Sequence, residues 1–211
     1  QQRWITDGAM ATMLFARGAS VHRPVEELNL KLAAMVRDVH RDYLNAGAQI
    51  LLTNTFGANR IRLAHFDLET KVTAINNAGV RIAREVARDK AFVAGCIGPT
   101  GVRLAPLGSL TEAEAVHVFY QQAATLTGVD LYVLETFQDL AELRAAVKGV
   151  REAAGDDVTA VNIDRFQHAI HRCPDVHFLR RLDQATDVSG GFGARLLGLH
   201  RSHGPPKHTS Q

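Results

Sequence analysis

The stretch ILLTNTFGANR, residues 50–60, changes character after its first three residues. Residues 50–52 form a short apolar run, which is typical of a strand that is buried on both faces. The polar side chains of Thr53, Asn54 and Thr55 follow at once, and Phe56 comes directly after them. A buried strand that ends in hydrogen-bonding side chains indicates either an ordinary loop or the rim of a site.

Three further apolar runs of similar length lie before and after this stretch in the sequence, and segments with helical periodicity separate them. With the run at 49–53, the predicted strands are RWIT (3–6), AFVAG (91–95) and DLYVLE (130–135). The predicted helices cover residues 31–46, 69–88, 111–127 and 139–153. The last two of these helices begin with the spacing of a capping box, Thr111 with Glu114 and Asp139 with Glu142.

The alternation of strand and helix predicts the fold class. Repeated βα units form a parallel sheet with right-handed crossovers. The first turn, DGAMATM (7–13), lacks the GxGxxG fingerprint, which disfavours a dinucleotide site in an open doubly wound sheet. The chain has 211 residues, whereas a complete eightfold barrel typically needs about 250. We therefore predict an α/β fold that is the N-terminal half of a (β/α)8 TIM barrel, with four βα units.

Composition narrows the classes of partner and the compartment. The formal net charge of +2 gives no overall field that would attract nucleic acid or an anionic membrane. No segment reaches the roughly 18 uncharged apolar residues of a membrane span. The first ten residues resemble the start of a strand with a few residues missing before it, and they lack a signal peptide's apolar run. The two cysteines make no disulfide framework, so we expect a cytoplasmic protein.

Polar residues follow each predicted strand, at the end where parallel α/β folds build their sites. Asp7 and Gly8 follow the first strand, residues 53–57 follow the second, and Glu135 ends the fourth. Each of these signals alone is more typical of an ordinary turn or a solvated side chain. Their convergence on one rim is what predicts a ligand site.

The residue types at this rim suggest a small polar ligand with an apolar portion. Asp7 and Glu135 are suited to hold an ammonium group, and the Thr and Asn side chains are suited to hydrogen bonds. Phe56 and Phe137 are placed to wall the apolar portion. An unrelated barrel enzyme that uses Asp7 and Glu135 as an acid–base pair is a weaker alternative.

Several motifs, in order and at suitable spacing, carry a resemblance to a known family. The motifs are DGAMATML (7–14), EELNL (26–30), VHRDYLNAGAQILLTNTFGANRIRL (39–63), FVAGCIGPTGVRLAPLGSLT (92–111) and GVDLYVLETFQDLAEL (128–143). Over residues 4 to about 155 the chain resembles the homocysteine S-methyltransferase domain. It is most similar to the bacterial form that is fused to a methylenetetrahydrofolate reductase domain.

The resemblance implies a fold, an activity and a set of binding residues. The implied fold is a (β/α)8 barrel, and the implied reaction transfers a methyl group to the homocysteine thiol to give methionine. The resemblance implies that the amino and carboxylate groups of homocysteine are held by five residues: Asp7, Gly8, Thr53, Phe56 and Glu135. Asn54 and Thr55 lie beside them in the sequence. The family usually has DGAMGTM in the first turn, where this chain has Ala11.

The resemblance also implies a zinc ion, for which this chain lacks the ligands. Members of the family hold Zn²⁺ with three cysteines from GVNC-like and GGCCG-like motifs, and substrate sulfur is the fourth ligand. Neither motif occurs here, and in AVNID (160–164) Ile163 takes the ligand position. Cys96 is interpreted as a core or loop cysteine, and Cys173 matches no ligand. We therefore expect no catalytic residue, no metal ligand and no turnover from this chain.

The last fifty residues differ from the rest and suggest two domains, 1–158 as the partial barrel and 159–211 as a divergent tail. Residues 164–211 contain no Glu and hold 6 of the 10 histidines, with 7 Lys and Arg against 4 Asp and Glu. The preferred interpretation is a frameshifted segment that is partly disordered. A metal set of His168, His171, Cys173 and His177 and a basic RNA-binding tail are weaker alternatives.

The sequence therefore predicts homocysteine methyl transfer as the activity of the parent family, from a truncated and inactive chain. The alternative is a non-catalytic module that binds homocysteine or associates with itself through exposed sheet edges. The methyl donor is left open among folate, betaine and S-methylmethionine, with methyltetrahydrofolate favoured weakly by the resemblance to the reductase-fused form.

Overall fold

The structure is a computed structural model that describes residues 4–155 and the backbone of residues 160–163. Its centre is a parallel sheet of four strands in the order β1-β2-β3-β4. The strands are β1 (Ile50–Leu52), β2 (Phe92–Ile97), β3 (Leu131–Glu135) and β4 (Ala160–Ile163). Chain order and spatial order coincide, as in a barrel, whereas the strand order of a doubly wound sheet reverses at a switch point.

The first predicted strand is present only as a single bridge beside β1. Thr6 pairs in parallel with Ile50, and no regular strand forms among residues 4–7. The N–H of Gln49 donates to the carbonyl of Ile5 at 2.8 Å, and the N–H of Asp7 donates to the carbonyl of Ile50 at 2.9 Å. This segment nevertheless runs along β1 and delivers Asp7 to the carboxyl end of the sheet.

Helices and short turns connect the strands close to the predicted positions. The helices are α1 (Met10–Ala16), α2 (Leu28–Lys31), α3 (Ala33–Asn45), α4 (Arg60–Ala64), α5 (Val72–Ala87), α6 (Glu112–Thr125) and α7 (Leu140–Ala154). Two 3-10 turns, Val25–Glu27 and Glu69–Lys71, lead into α2 and α5. The four long helices were predicted, whereas α1, α2 and α4 were not, because they have at most seven residues each.

One of the two predicted capping boxes is confirmed. The Thr111 hydroxyl accepts a hydrogen bond from the N–H of Glu114, and the Glu114 carboxylate accepts one from the N–H of Thr111. At α7, Asp139 caps the helix by accepting from the N–H of Ala141. The capping box predicted there is wrong, because the Glu142 carboxylate is occupied by a partner in another loop.

The helices cover one face of the sheet, and neighbours along the chain pack together. α3 packs on α5, α5 on α6, and α6 on α7. Leu51 and Val93 point toward α5, where they meet Ala83 and Ala87. The opposite face forms an apolar cluster of its own, which comprises Trp4, Ile50, Leu52, Phe92, Ala94, Leu131 and Val133. This alternation explains why the strands appear as continuous apolar runs in the sequence.

The sheet continues beyond residue 158, where the partial barrel was predicted to end. β4 pairs in parallel with β3, and Tyr132 and Glu135 are opposite Ala160 and Ile163. The predictions for residues 164–211, including the histidine set and the disordered end, lie outside the described residues. No helix among residues 4–155 has both the length and the apolar character that are needed to cross a bilayer.

Candidate functional site

Asp7 is the most strongly perturbed acidic group at the carboxyl edge of the sheet. Its side chain is 1% exposed, and its Oδ2 accepts a hydrogen bond from the N–H of Leu52 at 2.9 Å. Its Oδ1 is buried and has no hydrogen-bond partner among the described residues. Burial, together with the nearby charge of Glu135, raises the pKa of Asp7 to about 8, against the lowering effect of the Leu52 hydrogen bond. A buried acceptor without a partner is a place where a ligand cation gains a full interaction.

Gly8 and Ala9, which follow Asp7, rest on Tyr43 of α3. The Tyr43 hydroxyl donates to the carbonyl of Ala9 at 3.2 Å. A Cβ at Gly8 would lie 3.1 Å from the same hydroxyl oxygen, so glycine lets the chain approach the ring closely. Helix α3 therefore supports the turn that carries Asp7.

The hydroxyls of Thr53 and Thr55 form a closed ring with the backbone of Cys96. The N–H of Cys96 donates to Thr53 Oγ1 at 3.0 Å, and Thr55 Oγ1 donates to the Cys96 carbonyl at 2.8 Å. The two hydroxyl oxygens are 2.6 Å apart. Because the Thr55 hydroxyl donates its hydrogen bond to the carbonyl, the Thr53 hydroxyl is the donor between the two side chains. The ring locks the loop after β1 onto the end of β2.

Asn54 is held in the same loop by amide contacts to Val25, which precedes α2, and to Asn29 within α2. Its Nδ2 donates to the Val25 carbonyl at 2.8 Å and to Asn29 Oδ1 at 3.0 Å. Asn29 Nδ2 in turn donates to the Asn54 carbonyl at 2.8 Å. Both amides are buried, so Asn54 contributes to the shape of the loop through its protein partners.

Phe56 packs against the loop that follows β2. The ring occupies the space beside Gly98, where a Cβ would be 2.4 Å from the ring atom Cε2. The N–H of Gly98 donates to the Phe56 carbonyl at 2.8 Å, and the Arg62 guanidinium sits over the ring, 5.5 Å from its centre. Phe56 is half-buried and is available to wall a ligand on one side.

Glu135 lies at the end of β3 and contacts Cys96 of β2. The Cys96 thiol donates to Glu135 Oε2 at 3.3 Å. Burial, and then the charge of Glu135, raise the pKa of Cys96 well above its usual value, so this thiol stays protonated. The interpretation of Cys96 as a core cysteine is confirmed, since it is 3% exposed and unpaired.

Phe137 does not wall the site, and that prediction is wrong. The chain turns at Thr136, whose φ is 63°, and Phe137 then enters the core beneath α6. It is 2% exposed, and its ring centre is 5.7 Å from that of Phe119. The aromatic residue is therefore part of the helix packing.

Two groups near the site were missed by the sequence analysis. Glu142 of α7 accepts hydrogen bonds from the N–H and hydroxyl of Thr100 at 2.7 and 2.6 Å, which fixes the loop after β2. His40 of α3 is fully buried, and its Nδ1 is 3.9 Å from Asp7 Oδ2. Burial lowers the pKa of His40 to about 4, so at neutral pH it is uncharged and this contact is not an ion pair.

The described side chains do not fit a three-cysteine zinc site. The whole chain has two cysteines, and the one in the described part, Cys96, is a protonated thiol bonded to Glu135. Zinc binds the thiolate form. Within residues 4–155, no group of three or more His, Cys, Asp and Glu side chains is placed to hold a metal ion.

The fold and the site together define a class of protein. A parallel sheet covered by helices, with acidic and hydrogen-bonding side chains at the carboxyl ends of its strands, is the arrangement of α/β proteins that bind small ligands at that edge. Residues 4–168 match the model of one family in this class, described as homocysteine S-methyltransferase. The chain belongs to this family, and the match extends past the predicted limit near residue 155.

Proteins that are similar in sequence to this chain include two mycobacterial proteins named methionine synthase. The one from Mycobacterium tuberculosis is 36% identical over 221 residues, which cover 97% of this chain and 18% of the relative. The one from Mycobacterium leprae has the same identity and coverage. The chain thus spans about a fifth of the length of these relatives. The subtype fused to a reductase domain stays a prediction.

Solved structures of a homocysteine methyltransferase have a similar fold. The metallated form of MmuM from Escherichia coli has a TM-score of 0.65 and 25% identity, covering 76% of this chain and 62% of that chain. Its oxidized form has a TM-score of 0.59 and 28% identity, covering 73% and 59%. These similarities confirm the α/β class.

Proposed function

We propose that this chain binds the amino-acid end of homocysteine, as the first part of a (β/α)8 barrel. The family to which it belongs carries out methyl transfer to the homocysteine thiol. The observation that supports the proposal most strongly is the meeting of Asp7 and Glu135 at one edge of the sheet, close enough for the charge of Glu135 to act on Asp7.

The acidic pair is suited to a ligand ammonium group. An ammonium supplies three N–H donors, and Asp7 Oδ1 is a buried acceptor without a partner in the described structure. Glu135 is partly buried and has one oxygen in contact with the Cys96 thiol. A cation between two carboxylates favours their ionised forms, so binding would overcome the raised pKa of Asp7.

The hydrogen bonds of the loop support a proposal of two different roles for the predicted residues. Asp7, Gly8, Phe56 and Glu135 are proposed to contact the ligand. Thr53, Asn54 and Thr55 were predicted as binding residues, and we now propose that they hold the loop in shape, because their side chains are engaged by protein groups. Thr53 retains one lone pair, so it is the member of this trio best placed for a ligand contact as well.

Methyl transfer itself is not proposed for this chain alone. The family's zinc chemistry needs thiolate ligands, and the side chains described above do not fit that requirement. We propose a cytoplasmic, catalytically inert fragment of a longer methyltransferase, for which methyltetrahydrofolate is the favoured donor. Methionine formation by the purified chain, with added zinc and homocysteine, at a rate typical of an enzyme would contradict this part of the proposal.

Self-association through sheet edges is a second proposal. The segment beside β1 forms only a bridge, and Ile5 within it is 60% exposed. The backbone groups of Ile5 and Asp7 bond toward β1, so Thr6 between them lies on the side of the open edge, and an open edge pairs readily with another strand. Sedimentation analysis should give a dimer that dissociates when Thr6 is changed to Pro, whereas a concentration-independent monomer would exclude self-association through this edge.

Binding of L-homocysteine, measured by calorimetry under reducing conditions, tests the main proposal. Wild-type protein should bind, and Asp7→Asn and Glu135→Gln should each weaken affinity at pH 8 by at least about tenfold, as expected for a lost charge-assisted bond. Glu85→Gln is the matched control, since Glu85 is an exposed carboxylate that pairs with Arg37 on the helix layer. Equal affinity for all four proteins would exclude the acidic pair as the binding site.

A further inference from the structure

His40 stands out among the buried polar side chains. It is 0% exposed, and neither ring nitrogen has a hydrogen-bond partner within the described part of the chain. Buried polar atoms are normally paired, because an unpaired one loses its hydrogen bonds to water without a replacement. A histidine that is buried without partners on α3, directly behind Asp7 of the proposed site, calls for a functional explanation.

Asp7 is the polar group that His40 faces. His40 Nδ1 is 3.9 Å from Asp7 Oδ2, and Oδ2 already accepts the N–H of Leu52. The same face of α3 carries Tyr43, one turn further on, whose hydroxyl holds the Ala9 carbonyl. Helix α3 thus meets the acidic turn at two points, one at the carboxyl group and one at the backbone that follows it.

We propose that His40 is a positioning residue for Asp7: its uncharged ring directs Nδ1–H at Oδ2 and holds the carboxylate in the orientation that receives a ligand ammonium group. This inference rests on the proposed function. A separation of 3.9 Å is longer than a hydrogen bond. The bond therefore forms when Asp7 ionises on ligand binding, since the charged oxygen attracts the N–H more strongly.

The surrounding groups make a neutral donor the suitable partner. Glu135 is the acidic neighbour whose charge disfavours ionisation of Asp7, and the Cys96 thiol is protonated. A neutral N–H offsets part of this repulsion without placing a cation where the ligand's own ammonium must go. Three more titratable groups surround this cluster: Glu26, whose charge acts on Cys96, and Tyr43 and Arg17, of which Tyr43 interacts with Asp7.

The first arm of the test needs no ligand. Carbon-13 NMR of the Asp7 carboxyl group gives its titration midpoint in wild type and in three variants. His40→Phe keeps a flat ring but no donor, and His40→Gln reaches the position of Nε2 only. Both should raise the midpoint by about one pH unit. His40→Asn places an N–H near the Nδ1 position and should restore the wild-type midpoint to within about 0.3 units.

The second arm measures L-homocysteine affinity across pH. His40→Phe should bind about tenfold more weakly than wild type at pH 6.5 and about threefold more weakly at pH 8.5, the pattern of one pKa unit. His40→Asn should follow the wild-type curve. Val36→Ala is the packing control, because Val36 is a buried residue of the same helix, and it should lower stability without moving the midpoint.

The two experiments distinguish a failure of the homocysteine-binding proposal from a failure of the positioning role of His40. If wild type binds no homocysteine, the proposed function fails, while the Asp7 midpoints still decide the role of His40. If homocysteine binds but the four midpoints agree, the positioning role is excluded and the binding proposal stands. If His40→Phe does not fold, the contrast between His40→Gln and His40→Asn carries the test, and equal midpoints for those two overturn the inference.

Discussion

The carboxyl group of Asp7 accepts a hydrogen bond from the backbone N–H of Leu52 at 2.9 Å, across 45 positions of sequence. This bond places a charged residue type at the carboxyl end of β1 and buries it there. Burial then raises the pKa of Asp7 to about 8. A buried acid that is protonated without a ligand has to lose its proton when it pairs with a cation, so its raised pKa links both stability and binding to pH.

Asp7 should make folding stability fall as pH rises. Folded Asp7 keeps its proton up to about pH 8, whereas the ordinary pKa of an aspartate is 3.8, so the folded state binds more protons between these values and loses stability across that window. His40, with a lowered pKa of about 4, acts in the opposite direction, but only below about pH 6.5. Between pH 6.5 and 8 the loss due to Asp7 should be about 1.5 kcal/mol.

Urea unfolding of Asp7→Asn checks this dependence. The asparagine keeps an acceptor for the Leu52 N–H but cannot ionise, so the decrease between pH 6.5 and 8 should disappear. Asp38→Asn is the control, since Asp38 is an exposed carboxylate beside Arg41, and it should retain the wild-type slope. A wild-type slope in Asp7→Asn would show that Asp7 is not a buried acid.

Gly98→Ala should destabilise the protein through Phe56. The added methyl group would lie 2.4 Å from the ring, and overpacking of this kind typically costs about 1–3 kcal/mol. Because the cost comes from one ring, Phe56→Ala should relieve it, with a coupling energy of at least about 1 kcal/mol in a double-mutant cycle. Phe66→Ala, whose ring lies beside Arg23, should not couple to Gly98→Ala. Additive costs for the Phe56 pair would rule out the proposed contact.

Thr55→Val should destabilise the loop after β1 by about 1–3 kcal/mol, because it leaves the Cys96 carbonyl and the Thr53 hydroxyl without their partners. Thr55 is fully buried. Thr73→Val on the exposed side of α5 is the control for the change of residue type, and thermal unfolding should leave it within about 0.5 kcal/mol of wild type. A cost for Thr55→Val no larger than that of the control would mean that the hydroxyl ring does not support the loop.

Cys96 should be unreactive in the folded protein. Its thiol is buried, bonded to Glu135 and protonated because its pKa is raised, and reactivity follows the exposed thiolate. In a Cys173→Ser background, a disulfide reagent at pH 8 should label Cys96 only when denaturant is added. Ser109→Cys supplies an exposed thiol for comparison. Labelling of Cys96 as fast as that of residue 109 would show that the carboxyl edge of β2 is open.

Features with local causes could be predicted from the sequence. The Thr111–Glu114 box joins groups three residues apart, and the apolar runs of β1, β2 and β3 need no knowledge of partners. The positions of Asp7 and Glu135 at one edge followed from the rule that parallel strands end on the same side. The strand predicted at residues 3–6 is too long, because within the described residues Thr6 makes only a single bridge to Ile50.

Features that depend on residues far apart in the sequence could not be predicted from it. Glu142 has the spacing of a helix cap, but its carboxylate accepts from Thr100, 42 positions away, and the spacing carries no sign of that partner. His40 on an amphipathic helix is indistinguishable from an ordinary core histidine until Asp7 is brought beside it. Phe137 was assigned to the pocket because it follows Glu135, and the left-handed turn at Thr136 sends it into the core instead.

The most direct measurement is a ¹H–¹⁵N correlation spectrum recorded while L-homocysteine is added under reducing conditions at pH 8. The account predicts saturable shifts at the amides of Gly8, Phe56, Gly57 and Thr136, with the helix layer around Glu85 unchanged, and loss of these shifts in Asp7→Asn. Shifts confined to other parts of the chain, or a spectrum that homocysteine does not change, would contradict the assignment of this rim as the homocysteine site.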